Sequence, residues 1–174
     1  MKDEPRLIEG GLSIDDRGQV AFCNGFNPAE AGVKRLYVLS NHEAGYVRAW
    51  HGHKIEAKYV LVTRGVALVC CVVLEEIEQY CQTDAPSWSW VDKSTMTLTW
   101  SGPPTPIPQA WRFVLSGQQP KVLYIPPGYA NGHMALSVPC DMVHFSSMTI
   151  EEAKGDDLRF PARCIPGTWE VEEK

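Results

Sequence analysis

Short apolar-rich runs, each bounded by glycine, proline, asparagine or aspartate, recur along most of this chain. Residues 19–23 follow the turn Asp15-Asp16-Arg17-Gly18, and residues 33–40 (VKRLYVLS) and 46–53 come next. Residues 58–63 (KYVLVT) and 66–74 flank Arg64-Gly65, which reads as the turn of a hairpin. Residues 94–100 (STMTLTW) alternate polar and apolar, the pattern of a half-buried strand. Residues 111–115, 121–125, 131–137 and 141–145 complete the set of predicted strands. Helical signals are weak. Residues 149–154 predict one short helix, with Thr149 or Ser147 as its cap and acids in its first turn.

Residues 75–109 break the pattern. Prolines and tryptophans (Pro86, Trp88, Trp90, Pro103, Pro104) are dense there, and little periodicity survives outside 94–100. The stretch is expected to be an irregular insertion: a long hairpin, a lid or an oligomer contact. With no internal repeat, 174 residues predict one domain spanning 1–174, long enough to bury a sizeable core. Many short strands joined by Gly/Pro turns predict an all-β sandwich or barrel with a short C-terminal helical segment.

Composition narrows the function. At 44% hydrophobic the chain is that of a folded protein. Its net charge is −5 and no Lys/Arg cluster is present, which argues against a nucleic-acid partner. A small anionic ligand needs only a few local cations and stays open. Met1-Lys2-Asp3-Glu4-Pro5 is charged and leads into no apolar stretch, so no secretory leader is expected. The longest apolar run, 66–74, is too short to cross a membrane as a helix. A cytoplasmic location follows as the expectation. The six cysteines are then read as reduced and mostly buried, and adjacent Cys70 and Cys71 should point to opposite sheet faces.

The segment Arg48-Ala49-Trp50-His51-Gly52-His53-Lys54 carries the strongest chemical signal. Residues two apart on a strand share a face, so His51 and His53 should point into one space. Two imidazoles there can remove and return a proton, or bind a metal. Metal-binding cupins show His-x-His, then Glu seven residues before a glycine, then His three residues after a Pro-x-Gly. Here Lys58 stands seven before Gly65, and Asn131 stands three after Gly128. A cation in place of a carboxylate repels a divalent metal, so no metal and no cofactor are expected. Glu56 and His133, close to the missing positions, leave a displaced metal site as an alternative.

These residues resemble two related groups of sugar-nucleotide enzymes. Arg48-Ala49-Trp50-His51 resembles the Arg-Gly-x-His motif of the dTDP-4-dehydrorhamnose 3,5-epimerases. Ile125-Pro126-Pro127-Gly128-Tyr129-Ala130-Asn131-Gly132 resembles their Ile-Pro-x-Gly-Phe-Ala-His-Gly, and Asp16-Arg17-Gly18 their N-terminal Asp-x-Arg-Gly. Arg48 to Lys54 also resembles the Arg-Gly-x-His-Ala-His-Lys signature of the dTDP-sugar 3,4-ketoisomerases. The resemblance implies a cupin jelly-roll β-barrel, an isomerase acting on a nucleotide-linked 4-keto-6-deoxyhexose, and a homodimer. It makes His51 the base, His53 the second histidine of the ketoisomerases, and Lys58 the cation facing an enolate oxygen. Arg48 matches the arginine that contacts the diphosphate. The acid tyrosine of the epimerases should fall near Met148 or Thr149, where this chain has no tyrosine, and their turn histidine is Asn131 here.

A base beside the ketone leaves an enolate whose charge must be held. Returning the proton to the opposite face inverts the centre; moving it along one face shifts the ketone. The candidate catalytic residues are therefore His51, His53 and Lys58. Arg17, Arg48 and Lys54 are the candidate diphosphate contacts, and Tyr129 and Trp50 the candidate stacking groups. Asn131 and His133 complete the candidate substrate contacts, with His133, His144 and Tyr129 as candidate acids. Four functions stay open: epimerase, 3,4-ketoisomerase, a non-catalytic nucleotide-sugar-binding module and a metal-dependent cupin such as a dioxygenase.

Overall fold

The computed structural model describes residues 3–83 and 106–171. The predicted strand at 94–100, and most of the predicted insertion at 75–109, lie outside the described residues. Twelve strands and two helices are assigned within them. One five-stranded antiparallel sheet runs β1 (Arg6–Glu9), β9 (Lys121–Ile125), β6 (Lys58–Arg64), β11 (Asp141–Ser146), β4 (Arg35–Ser40). The other runs β12 (Leu158–Arg159), β5 (Val47–His53), β10 (Tyr129–Ala135), β7 (Val66–Val73), β8 (Trp111–Ser116). A separate hairpin joins β2 (Gly11–Asp15) and β3 (Gly18–Phe22). The two larger sheets face each other as a jelly roll, the architecture expected of a cupin.

The expected hairpin around Arg64-Gly65 is not one. β6 pairs with β11 and β9, whereas β7 pairs with β10 and β8 in the opposite sheet. Gly65, at φ +79°, is the corner at which the chain changes sheets. Two adjacent apolar strands separated by a short turn look alike whether they pair or part.

The second sheet is buried on both faces, so β7 reads as an unbroken apolar run. Cys71 faces the barrel interior with Val60, Leu123 and Met142. Cys70 faces outward with Trp50, Leu74 and Ile77, the opposite-face placement that adjacency implied. Helix α1 (Leu74–Thr83) helps cover this outer face. It occupies the start of the stretch expected to be irregular. Leu74, Ile77 and Cys81 recur at helical spacing and join that outer cluster, and the packing surface offered by the sheet stabilises the helix. The C-terminal segment covers the rest. Trp169 packs 5.1 Å from Trp50, and Arg112 clamps the tail by donating to the main-chain oxygens of Gly167, Thr168 and Glu170. All six cysteines are free thiols, three of them buried. No helix among the described residues is long and apolar enough to cross a membrane.

Helix α2 (Ile150–Ala153) follows β11 where a helix was expected. Thr149 is its cap in a reciprocal capping box with Glu152. From there the chain returns as β12, which pairs with β5 at Gly52 and His51. Mutual main-chain hydrogen bonds between Trp50 and Phe160 extend that pairing. Gly52 permits this packing, because a Cβ there would run into Leu74, Phe160 and Leu158.

Candidate active site

Between the two sheets opens a cavity of about 560 Å³. One wall comes from β5 and β10 and carries Arg48, His51, His53, Asn131 and His133. The other comes from β4, β6 and β11 and carries Arg35, Tyr37, Lys58 and His144. Residues after α2 close one side with Lys154, Asp157 and Arg159. Strand alternation explains the two imidazoles of the first wall: His51 and His53 point in, while Trp50 and Gly52 point out. The β5–β10 register shifts between Asn131 and His133. At this irregularity Gly132 lies too close to Ala49 to tolerate a side chain.

Seven of the eleven residues singled out from sequence line this cavity: Arg48, His51, His53, Lys58, Asn131, His133 and His144. Arg17, Lys54, Tyr129 and Trp50 do not. Arg17 sits at the tip of the β2–β3 hairpin, exposed, with its guanidinium 2.6 Å from Asp15. Lys54 follows the last inward residue of β5 and reaches toward Glu78 of α1 at 3.5 Å. Tyr129 packs edge-on against Trp111 in the apolar end of the barrel. Trp50 is fully buried in the outer cluster, which removes it from any stacking role in the cavity.

Glu56 is the centre of the charge network. Its carboxylate lies 2.7 Å from Lys58 Nζ and 3.0 Å from Arg35 Nη2, and Ser146 Oγ donates to it. Burial alone would raise its pKa, but the hydrogen bonds from Lys58, Ser146 and Arg35 outweigh burial and hold it below the ordinary value. Burial pulls Lys58 below its own ordinary value against the opposing pull of Glu56.

The two histidines of β5 sit in different surroundings. His53 Nδ1 lies 2.6 Å from the main-chain oxygen of Asp156. A carbonyl only accepts, so Nδ1 carries the hydrogen and Nε2 keeps the lone pair. Glu56 Oε2 lies 3.1 Å from the same Nδ1. The one hydrogen there is committed to Asp156, so Glu56 Oε2 gains no hydrogen bond from the ring. Burial first, then Lys58, lowers the His53 pKa, which keeps the ring neutral near pH 7. His51 Nε2 instead faces Arg159 Nη1 at 3.4 Å. Burial, then Arg159, pushes its pKa down to about 4. Asn131, at the position of the family histidine, donates to the main-chain oxygen of His51 and so braces β5.

Five cavity residues escaped the sequence reading as functional groups: Arg35, Tyr37, Lys154, Asp157 and Arg159. Tyr37 stacks on His144 at 5.0 Å, and Lys58 Nζ lies 5.6 Å from its ring centre. Burial, then the charge of Glu56, raises its pKa to about 12, so the phenol keeps its proton. The signal for it was available. Alternation along VKRLYVLS puts Arg35, Tyr37 and Leu39 on one strand face. Among the described residues, no group of three or more His, Cys, Asp or Glu side chains is arranged to hold a metal ion.

With a jelly roll and a polar cavity between its sheets, the chain has the fold of the cupin class of barrels, and solved structures share that fold. The rmlC epimerase of Mycobacterium tuberculosis is 19% identical, over 97% of this chain and 73% of that one, with a TM-score of 0.61. ChmJ, a 3'-monoepimerase from Streptomyces bikiniensis solved with dTDP-quinovose, is 14% identical over 92% and 71%, at 0.64. QdtA, a sugar 3,4-ketoisomerase from Thermoanaerobacterium thermosaccharolyticum solved with TDP, is 15% identical over 95% and 94%, at 0.58. At these identities the likeness establishes the fold. No family model matches the chain, and neither does any curated protein sequence.

Proposed function

We propose that the protein is an isomerase that removes a proton next to the ketone of a nucleotide-linked 4-keto-6-deoxyhexose and returns it from the opposite side. The observation that carries this reading is the pairing of walls. Neutral imidazoles stand on β5, and a protonated phenol, Tyr37, stands on β4 in the facing sheet. A base on one face of a sugar and an acid on the other is what inversion requires. Tyr37 takes the place of the acid tyrosine that this chain lacks near Met148.

His53 is better suited than His51 to be the base. Its Nδ1 hydrogen is fixed by Asp156, which leaves the Nε2 lone pair free, whereas His51 Nε2 already faces a guanidinium. Lys58 supplies the positive charge for the enolate oxygen. Five cations line the cavity against two carboxylates, and Arg48 and Lys154 have no carboxylate partner among the described residues. That local excess, in a chain of net charge −5, suits a diphosphate. The solved structures of this fold that hold TDP or dTDP-quinovose favour a thymidine diphosphate sugar. A cytoplasmic homodimer belongs to the same reading.

A second reading, 3,4-ketoisomerisation, is favoured by the presence of two imidazoles on the same wall. Incubation with dTDP-4-keto-6-deoxyglucose in deuterated water tests both. Deuterium at C5, or at C3 with inversion, is expected for the epimerase. A ketone moved to C3 marks the ketoisomerase. TDP binding without deuterium uptake, across a panel of keto-sugars, would leave only a binding module.

A further inference from the structure

Asp156 ties the acid–base histidine and the Glu56–Lys58 pair to the C-terminal segment. Its carboxylate accepts three successive main-chain N–H groups from the turn between β5 and β6. Oδ1 takes Lys54 N at 2.7 Å, and Oδ2 takes Ile55 N at 2.9 Å and Glu56 N at 2.8 Å. Its main-chain oxygen takes the Nδ1 hydrogen of His53. Asp156 is buried, and its own N–H is held by Ala153 of α2 at 3.0 Å. Its side chain and its carbonyl are therefore both spent on the six-residue stretch that holds His53, Glu56 and Lys58.

We propose that Asp156 is a positioning residue. It selects the tautomer of His53 that leaves Nε2 free toward the cavity, and it holds the turn from which Glu56 aims Lys58. The carboxylate fixes the turn, and the fixed turn keeps the carbonyl of Asp156 in reach of the ring. The role rests on the proton-abstraction reading for its effect on rate, but not for its effect on the tautomer. The charged and titratable groups facing His53 are His51, Glu56 and Lys58 from β5, β6 and their turn, and Asp156 from the tail. Against burial and Lys58, first Glu56 and then the Asp156 carbonyl contact raise the basicity of the ring, so loss of that contact weakens the base as well as freeing it.

The test combines nitrogen-15 NMR of histidine-labelled protein with deuterium uptake. In the wild type at neutral pH, His53 is expected to carry its hydrogen on Nδ1. In Asp156→Ala the two tautomers average, and the uptake rate at saturating substrate falls by about 100-fold while KM changes little. Asp156→Asn, which keeps the size and one acceptor oxygen, recovers part of both. Wild-type His53 protonated on Nε2 overturns the proposal, and this arm needs no variant. So does an Asp156→Ala protein that keeps both the wild-type tautomer and the wild-type rate. A wild type that takes up no deuterium, with the tautomer still lost in Asp156→Ala, counts against the reaction and upholds the positioning of His53.

Discussion

Lys58 Nζ lies 2.7 Å from Glu56 Oε1, and the carboxyl side chain is fully buried. Removing one partner of such a pair strands the other charge in a low-dielectric site, which costs more than the pair contributed. Glu56→Gln strands Lys58 and weakens the hold on Arg35. It is expected to destabilise the protein by about 3 kcal/mol. Lys58→Met leaves the carboxylate with Arg35 and Ser146 and is expected to cost less. Urea unfolding of both variants measures the difference, and equal losses would remove Glu56 from the centre of the network.

Acid should destabilise the protein well before its carboxylates are protonated. Burial, then His51, holds His133 at about 4, and burial, then His133, holds His144 at about 3, against an ordinary 6.5. The folded pKa values are depressed, so below 6.5 the unfolded chain binds more protons than the folded one. The stability these rings contribute is complete above that value. It is lost as pH falls through the window toward 4 and 3. Each ring can contribute a slope of up to about 1.4 kcal/mol per pH unit. Denaturant midpoints between neutral pH and about pH 5 should fall steeply. His144→Gln should flatten the fall; an unchanged slope in that variant contradicts the assignment.

The pattern of the fold was largely legible because strand alternation and turn residues are local. Residues 58–63, 111–115 and 121–125 lie within β6, β8 and β9. Pairing partners are not local, so the chain's crossing between sheets at Gly65 was read as a hairpin. β12 has two residues and exists only because it pairs with β5, so it left no signature of its own. Half of the site was legible for the same reason as the strands: His51, His53 and Lys58 occupy motif positions on single elements. Arg159, Asp157 and Tyr37 reach the cavity through long-range pairing, and only Tyr37 had an alternating run to announce it. Arg17 and Lys54 carry the right charge, yet the hairpin and the strand end send them elsewhere.

Arg159 stands between Asp157, at 2.6 Å, and the Nε2 of His51. After burial, its charge is the largest cause of the low His51 pKa. Arg159→Leu removes that cation and leaves Asp157, whose influence on His51 is in the opposite direction. The His51 pKa should therefore rise from about 4 toward 6.5. An NMR titration of His51 follows this directly, and His133, whose first charged neighbour is His51, should shift with it. A His51 midpoint that stays near 4 would assign the depression to burial alone.

Tyr37 separates the two halves of the proposed reaction. Proton removal needs a base and a place for the enolate charge, and both His53 and Lys58 remain in Tyr37→Phe. Reprotonation from the facing wall needs the phenol hydrogen, which that variant lacks. Burial and the nearby Glu56 keep the phenol protonated to about pH 12, so it is an acid throughout the working range. Phenylalanine preserves the stack on His144 at little structural cost, whereas alanine would open a void. In deuterated water, Tyr37→Phe should still wash deuterium into the starting sugar, with retention of its stereochemistry. Formation of the inverted product should fall by about 100-fold or more, the usual scale for a lost general acid. Lys58→Met should lose both signals together. A Tyr37→Phe enzyme that inverts its substrate at the wild-type rate would exclude the phenol as the acid and favour the single-wall route of a ketoisomerase.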